Sequence, residues 1–256
     1  MTNVSAATDS WVRRFHPSDA AATRLVCFPH AGGSASYYFP VSRALSPTVD
    51  VLAVQYPGRQ DRRTERCIDD VREFADLVTA ALRPWTDRPL ALFGHSLGAT
   101  IAFEVALRLQ ADGIVPVVLF ASGRRAPSRH RDERLHLGDD ARLIDSIKRM
   151  SGTDPQILRD EELLRMVLPA VRSDYKAAET YRYQPGPQLA CPVTVLTGDR
   201  DSEVTTEEAL AWAEHTKEPF SLHEYSGGHF YLNDHAAAVI ARIREQLAGS
   251  GRLAQH

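Results

Sequence analysis

The sequence has few cysteines and no long apolar run. Its 256 residues include three cysteines, Cys27, Cys67 and Cys191, and this odd, widely spaced set predicts neither a disulfide framework nor a zinc site. The amino-terminal stretch MTNVSAATDSWVRRFHP lacks an apolar signal core. A helix needs about 20 continuous apolar residues to span a bilayer, and no segment of the sequence has such a run. We therefore expect a soluble, cytoplasmic protein with no membrane partner.

The sequence also lacks an excess of either charge and the motifs of metal or phosphate sites. It has 30 basic and 33 acidic residues, and the formal net charge of −3 gives no reason to expect a nucleic-acid partner. No HExxH pattern, clustered Cys/His spacing or phosphate-binding loop is present. We expect no metal and no other cofactor.

Short runs rich in Val, Leu and Phe recur along the chain and predict strands. They are RLVCFPH (24–30), VDVLAVQYP (49–57), PLALFGH (89–95), VPVVLFASG (115–123), CPVTVLTGD (191–199) and FSLHEYSGG (220–228). The first five are nearly all apolar, as in parallel strands buried on both faces, and segments with helical spacing lie between the runs. The pattern predicts a single α/β domain over residues 1–256, with a mostly parallel central sheet and helices on both faces.

One long segment interrupts this alternation. Residues 124–187 are charged and have helical spacing, as in DDARLIDSIKRMSG and DEELLRMVLPAVRSDYKAAETY. Because the segment joins two predicted sheet strands, we interpret it as a helical lid over a pocket; the alternative is a purely structural excursion. Met150, Leu164 and Met166 are candidates for the lining of an apolar chamber, although they could equally pack only within the insertion.

A serine lies between two glycines where a predicted strand gives way to a predicted helix. Gly94-His95-Ser96-Leu97-Gly98 matches the G-x-S-x-G nucleophile elbow, in which small neighbours allow a sharp, strained turn that lifts the serine hydroxyl clear of the sheet. A serine that only caps a helix could look similar. Ser96 is therefore a candidate nucleophile that needs a base and an orienting acid.

An acid and a histidine follow the last two predicted strands. Asp201 lies three residues after Gly198, and His229 follows Gly227-Gly228. The order Ser96, Asp201, His229 is that of the catalytic triad of α/β-hydrolases. Asp199 is a competing acid that we expect to shape its own turn. We expect His95 to support the elbow rather than to act as the base.

Two backbone amides are candidate donors to an oxyanion. The N–H of Leu97 lies at the start of the helix, directly after the serine, and the N–H of Ala31 lies in the loop that follows the first long strand. Gly32 and Gly33 in that loop would let the backbone approach a substrate, although a turn that requires positive φ would also select glycine.

Five separated motifs together resemble the type II thioesterases that accompany polyketide synthases and nonribosomal peptide synthetases. They are CFPHAGGSASYYFP, VQYPGRQDR, FGHSLGATIAFEVA, LTGDRDSEV and GGHFYL. The resemblance covers nearly the whole chain and implies the α/β-hydrolase fold. It assigns Ser96 as nucleophile, Asp201 as acid, His229 as base, and Ala31 and Leu97 as oxyanion donors. Arg59, in YPGRQ, could contact the phosphate of phosphopantetheine or merely shape its loop.

The resemblance further implies the reaction. Family members hydrolyse aberrant or stalled acyl groups from the phosphopantetheine arm of acyl or peptidyl carrier proteins, without a cofactor. We expect a stand-alone monomer that acts on such carriers. A general carboxylesterase or lipase would share the triad, and an acyltransferase or cyclising thioesterase would share the acyl-serine. A carrier-binding module without activity is a further alternative from a different class.

Overall fold

The computed structural model describes residues 10–150 and 160–253. Its centre is a seven-stranded sheet with the strand order β1-β3-β2-β4-β5-β6-β7. The strands are β1 (Val12–Arg13), β2 (Arg24–Phe28), β3 (Asp50–Val54), β4 (Leu90–His95), β5 (Val118–Ser122), β6 (Val193–Gly198) and β7 (Phe220–Tyr225). Each of the six apolar runs contains one of the strands β2 to β7. β1 was not predicted because two residues carry no periodic signal.

The sheet is parallel except at one edge. β1 pairs antiparallel with β3, whereas β2 to β7 pair in parallel. Every residue of β2, β3, β4, β5 and β6 is buried, which explains why these strands read as continuous apolar runs. The arrangement confirms the predicted fold class.

Helices cover both faces of the sheet. They are α1 (Phe39–Leu45), α2 (Val71–Leu82), α3 (Leu97–Ala111), α4 (Asp140–Met150), α5 (Glu161–Thr180), α6 (Thr206–Leu210), α7 (Tyr231–Asp234) and α8 (Ala236–Leu253). One large apolar cluster packs α2 and α3 against the sheet, and a second packs α1 and α8 against the opposite face. Within residues 10–150 and 160–253, no helix has the length and apolar character needed to cross a membrane.

The chain order places a crevice between β2 and β4. These two strands are neighbours in the sheet, with Phe28 opposite Gly94 at their carboxyl ends, but the chain leaves β2 towards β3 and leaves β4 towards β5. Connections that diverge in this way open a crevice outside the carboxyl ends of the strands, where ligands of open α/β sheets bind. Ser96 and the loop that follows Phe28 both lie at this point.

Between β5 and β6 the described residues of the segment 124–187 include the two helices α4 and α5. Its helices α4 and α5 share a small apolar cluster of Leu143, Ile147, Leu168 and Val171. The side chain of Met166 is more than half exposed, so it does not line an enclosed chamber, and Leu164 is buried. The side chain of Met150 lies outside the described residues.

Candidate active site

Ser96 occupies a strained turn between β4 and α3. Its φ of 54° and ψ of −121° lie in a region that non-glycine residues rarely adopt. The strain is held by the sheet, because the Ser96 N–H donates to the carbonyl of Ser122 on the neighbouring strand at 2.8 Å, and by the helix, because the Ser96 carbonyl accepts from Ala99 N–H at 3.0 Å. The turn therefore has the strained geometry expected of a nucleophile elbow.

The two glycines of the elbow are required by close backbone packing. A Cβ at Gly94 would lie 2.2 Å from the carbonyl oxygen of Gly98, and a Cβ at Gly98 would lie 2.1 Å from the carbonyl oxygen of Phe28. Real Cβ atoms do not approach backbone this closely, so any side chain would displace either β4 or the loop after β2. The elbow and the loop are thus in direct contact.

Asp201 and His229 form a buried pair at the same edge of the sheet. The Nδ1 atom of His229 lies 3.0 Å and 2.9 Å from the two carboxylate oxygens of Asp201, and both side chains are almost fully buried. The backbone N–H of Glu203 also donates to Asp201 Oδ1 at 2.9 Å, which fixes the carboxylate. The pair occupies Nδ1 of the imidazole, so Nε2 is the ring nitrogen left for proton transfer.

Asp199 has the bracing position that the sequence suggested. Its exposed carboxylate accepts the backbone N–H of Gly227 at 2.8 Å, and this hydrogen bond is the largest cause of its lowered pKa. The bond ties the loop after β6 to the loop that carries His229. Asp199 therefore shapes the turn, and Asp201 is the carboxylate that contacts the imidazole.

The imidazole of His229 lies close to Gly123, beside the elbow. A Cβ at Gly123 would lie 3.4 Å from Cε1 of His229 and 2.5 Å from Cε1 of His95, and Gly123 directly follows Ser122, which holds the Ser96 amide. The imidazole rings of His95 and His229 have their centroids 5.0 Å apart. The structure therefore brings the Asp201–His229 pair to the residues that flank Ser96.

His95 is a buried support for the elbow. Its Nδ1 lies 2.9 Å from Ser122 Oγ, which in turn lies 2.6 Å from the hydroxyl of Tyr231. Burial, followed by the nearby imidazoles of His229 and His30, holds the pKa of His95 well below its usual range. His95 is therefore neutral and ties β4 to β5 and to α7.

The two candidate oxyanion donors lie on either side of the crevice. Leu97 is the first residue of α3, where backbone N–H groups have no partner within the helix. Ala31 lies in the loop after β2, and this loop is pressed against the first turn of α3 because a Cβ at Gly98 would also come within 2.7 Å of the Pro29 carbonyl. That the N–H groups of Ala31 and Leu97 donate to an oxyanion remains a prediction.

The structure reveals a buried ion pair that the sequence reasoning missed. Asp174, on α5, is fully buried and accepts from Arg59 Nη2 at 2.8 Å and from the backbone N–H of Gly32 at 2.7 Å. Arg59 is almost fully buried and its guanidinium pairs with Asp174, so it is not placed to contact a phosphate. A signal was present, because Asp174 lies three residues from the apolar Val171 and Ala177 on the buried face of α5.

Burial dominates the electrostatics of this pair. It raises the pKa of Asp174 to about 6, against the opposing effects of the Arg59 guanidinium and the Gly32 amide. Arg59 Nε and Nη1 are buried and have no hydrogen-bond partner in the part of the chain that the structure describes. Asp174 is thus the principal polar partner of a costly buried cation.

Comparisons with known proteins cover almost the whole chain. The profile of the thioesterase domain family matches residues 23–247. Thioesterase PikA5 of Streptomyces venezuelae is 54% identical over 239 residues, which are 93% of this chain and 85% of the relative. Gramicidin S biosynthesis protein GrsT of Aneurinibacillus migulanus is 33% identical, over 93% of this chain and 94% of the relative.

A solved structure is similar at the level of the fold as well. The type II thioesterase BorB from the borrelidin biosynthetic cluster superposes with a TM-score of 0.89 at 52% identity, covering 93% of this chain and 98% of the other. The range matched by the family profile includes Ser96, Asp201 and His229.

Proposed function

Because the chain belongs to the thioesterase domain family and is a hydrolase that acts on thioesters, we propose that it removes acyl groups from the phosphopantetheine arm of carrier proteins. The carriers are acyl or peptidyl carrier domains of polyketide or nonribosomal peptide synthases, and the acyl groups are aberrant or stalled units. The observation that carries the chemistry is the buried Asp201–His229 pair beside the elbow of Ser96.

The first half-reaction transfers the acyl group to the protein. Nε2 of His229 takes the proton of the Ser96 hydroxyl as the oxygen attacks the thioester carbonyl, and Asp201 holds the imidazole in the required tautomer. The backbone N–H groups of Ala31 and Leu97 stabilise the negative charge on the carbonyl oxygen. His229 then returns the proton to the phosphopantetheine sulfur as the C–S bond breaks, leaving an acyl-serine.

The second half-reaction releases the acid. His229 now takes a proton from water, which attacks the acyl-serine carbonyl through the same oxyanion site, and the proton passes to Ser96 Oγ as the ester bond breaks. Each step uses only groups of the protein and water. The proposal therefore needs no cofactor.

In this proposal the helical insertion acts as a lid. The chain that carries α4 and α5 leaves β5 at its carboxyl end, which is the edge of the sheet that carries Ser96 and Asp201, and Asp174 on α5 contacts the loop after β2 at this same edge. A cover at this place would shape the space for the acyl group and limit the access of water. The acyl preference would then depend on the packing of the insertion.

The choice of acyl donor tests the proposed function. One short acyl group is presented on a phosphopantetheinylated carrier protein, as a small free thioester and as a simple oxygen ester, and kcat/KM is measured for each, with Ser96→Ala as the control. We expect a clear preference for the carrier, because the carrier adds binding contacts that the small compounds lack.

The other results would redirect the assignment. Equal or better turnover of the oxygen ester would indicate a general carboxylesterase. Transfer to an added nucleophile in preference to water would indicate an acyltransferase. Binding of the carrier with no turnover of any of the three compounds would indicate an inactive binding module.

A further inference from the structure

The loop that carries Ala31 is held in place by side chains from two other parts of the chain. The hydroxyl of Tyr56 donates to the Pro29 carbonyl at 3.4 Å, and Gln55 Oε1 accepts from the Ala35 N–H at 2.8 Å. Both residues directly follow β3, so they belong to the core of the domain. They fix the two ends of the loop. Its centre, at Ala31 and Gly32, is held by a different contact.

That contact comes from the helical insertion. Asp174 on α5 accepts the Gly32 N–H at 2.7 Å, and a Cβ at Gly32 would lie only 2.9 Å from Cγ2 of Val171, one turn earlier on the same helix. Gly32 has a φ of +75°, so glycine is needed here both for the backbone conformation and for the close approach of α5. The middle of the loop is thus seated on α5.

Arg59 ties this contact back to the core. Its Nη2 donates to the other carboxylate oxygen of Asp174 at 2.8 Å, and its carbonyl accepts from Gln55 Nε2 at 3.2 Å. Gln55 is the residue that holds Ala35, and the guanidinium lies over the ring of Tyr56. One continuous set of contacts therefore links α5 to both ends of the loop.

The geometry points to Asp174 as a positioning residue for the reaction, which holds the Gly32 amide so that the adjacent Ala31 N–H faces the oxyanion. This inference rests on the proposed function. It also gives the insertion a second role: the oxyanion site is complete only while α5 is seated on the loop. Donors to an oxyanion act through placement, and a shift of about 1 Å can cost about 100-fold in rate.

The test replaces Asp174 by asparagine. The amide keeps the shape of the carboxylate, and its oxygen can still accept from Gly32, but its NH₂ group then faces the donors of Arg59. We expect kcat for a thioester to fall about 10- to 100-fold with KM nearly unchanged. Binding of an acyl trifluoromethyl ketone, which forms a tetrahedral adduct with the serine, should weaken by the same factor as kcat/KM.

A matched control is present on the same helix. Lys176 Nζ contacts Asp69 at 2.6 Å and also ties α5 to the core, but it is half exposed and does not touch the loop. Lys176→Gln should keep kcat within about twofold of the wild type, since exposed ion pairs contribute little. The double variant Asp174→Asn/Arg59→Met removes the opposing donors and should recover part of the lost kcat.

The outcomes separate this inference from the proposed function. If the wild type hydrolyses no thioester, the proposed function fails. If the wild type is active and Asp174→Asn has an unchanged kcat, changes KM alone, or loses no more than Lys176→Gln, the positioning role is wrong. Thermal unfolding of each variant shows whether it is folded at the assay temperature. If Asp174→Asn is not folded, the double variant replaces it: because its recovery is expected to be partial, a kcat and a trifluoromethyl ketone affinity equal to those of the wild type would show that the positioning role is wrong.

Discussion

Replacing Ser96 by alanine is expected to lower kcat for thioester hydrolysis by about 10⁵- to 10⁶-fold, the range for loss of a serine nucleophile. The change removes only the hydroxyl oxygen. The strained turn is kept because the hydrogen bonds that hold residue 96, to Ser122 and Ala99, are made by its backbone. The fold should therefore be unchanged, as judged by thermal unfolding and circular dichroism.

A buried serine on the next strand is the control for this variant. Ser122 lies opposite His95 in the sheet and contacts His95 and Tyr231 through its hydroxyl. Ser122→Ala removes a hydroxyl from the same region without removing the nucleophile, so it should keep most of the activity. A Ser96→Ala protein that hydrolyses thioesters at a rate near that of the wild type would contradict the assignment.

The second large effect is expected at Asp201. In Asp201→Asn the side-chain NH₂ faces Nδ1 of His229 and donates a hydrogen bond to it. Because Nδ1 then accepts, the imidazole proton lies on Nε2. The histidine loses its ability to take the serine proton, and kcat is expected to fall by about 10⁴-fold. The steady-state rate on the acyl-carrier substrate measures the loss.

Asp199→Asn is the matched comparison, two residues away in the same loop. Asp199 accepts the Gly227 N–H, and the oxygen of an asparagine side chain could still do so. We expect only a small loss of kcat in this variant. A normal rate for Asp201→Asn together with a collapse for Asp199→Asn would reverse the assignment of the acid.

Features that depend on neighbouring residues could be predicted from the sequence. The buried strands β2 to β6 read as apolar runs because both of their faces are covered, and the elbow reads as G-x-S-x-G because Gly94 and Gly98 are each within three residues of Ser96. The resemblance to type II thioesterases, which five such motifs carried, is confirmed by the comparisons.

Features that depend on distant pairs could not be predicted. Asp174 is 142 residues from Gly32 and 115 from Arg59 along the chain, and no local pattern joins them. A carboxylate on the apolar face of a helix signals a buried partner but does not identify it. For the same reason the sequence left Arg59 open as either a phosphate contact or a loop-shaping residue, whereas the fold encloses it in an ion pair with Asp174.

Short elements were also missed. The helix Phe39–Leu45 and the 3₁₀ turn Ala35–Tyr38 before it are too short for a clear periodicity, and they follow directly on the loop that carries Ala31. Tyr38 nevertheless donates to the Phe28 carbonyl at 2.8 Å and so fixes the end of β2. These elements form because the sheet supplies their contacts.

The most direct test of the account is to locate the acyl group on the protein during turnover. Wild type and Ser96→Ala are mixed with an acyl-carrier protein, quenched in acid over a series of times within the first turnover, digested, and analysed by mass spectrometry. The account predicts a transient acyl mass on the peptide that contains Ser96 in the wild type, and none in Ser96→Ala. Release of the acid with the acyl mass on another residue, or an equal adduct in Ser96→Ala, would contradict it.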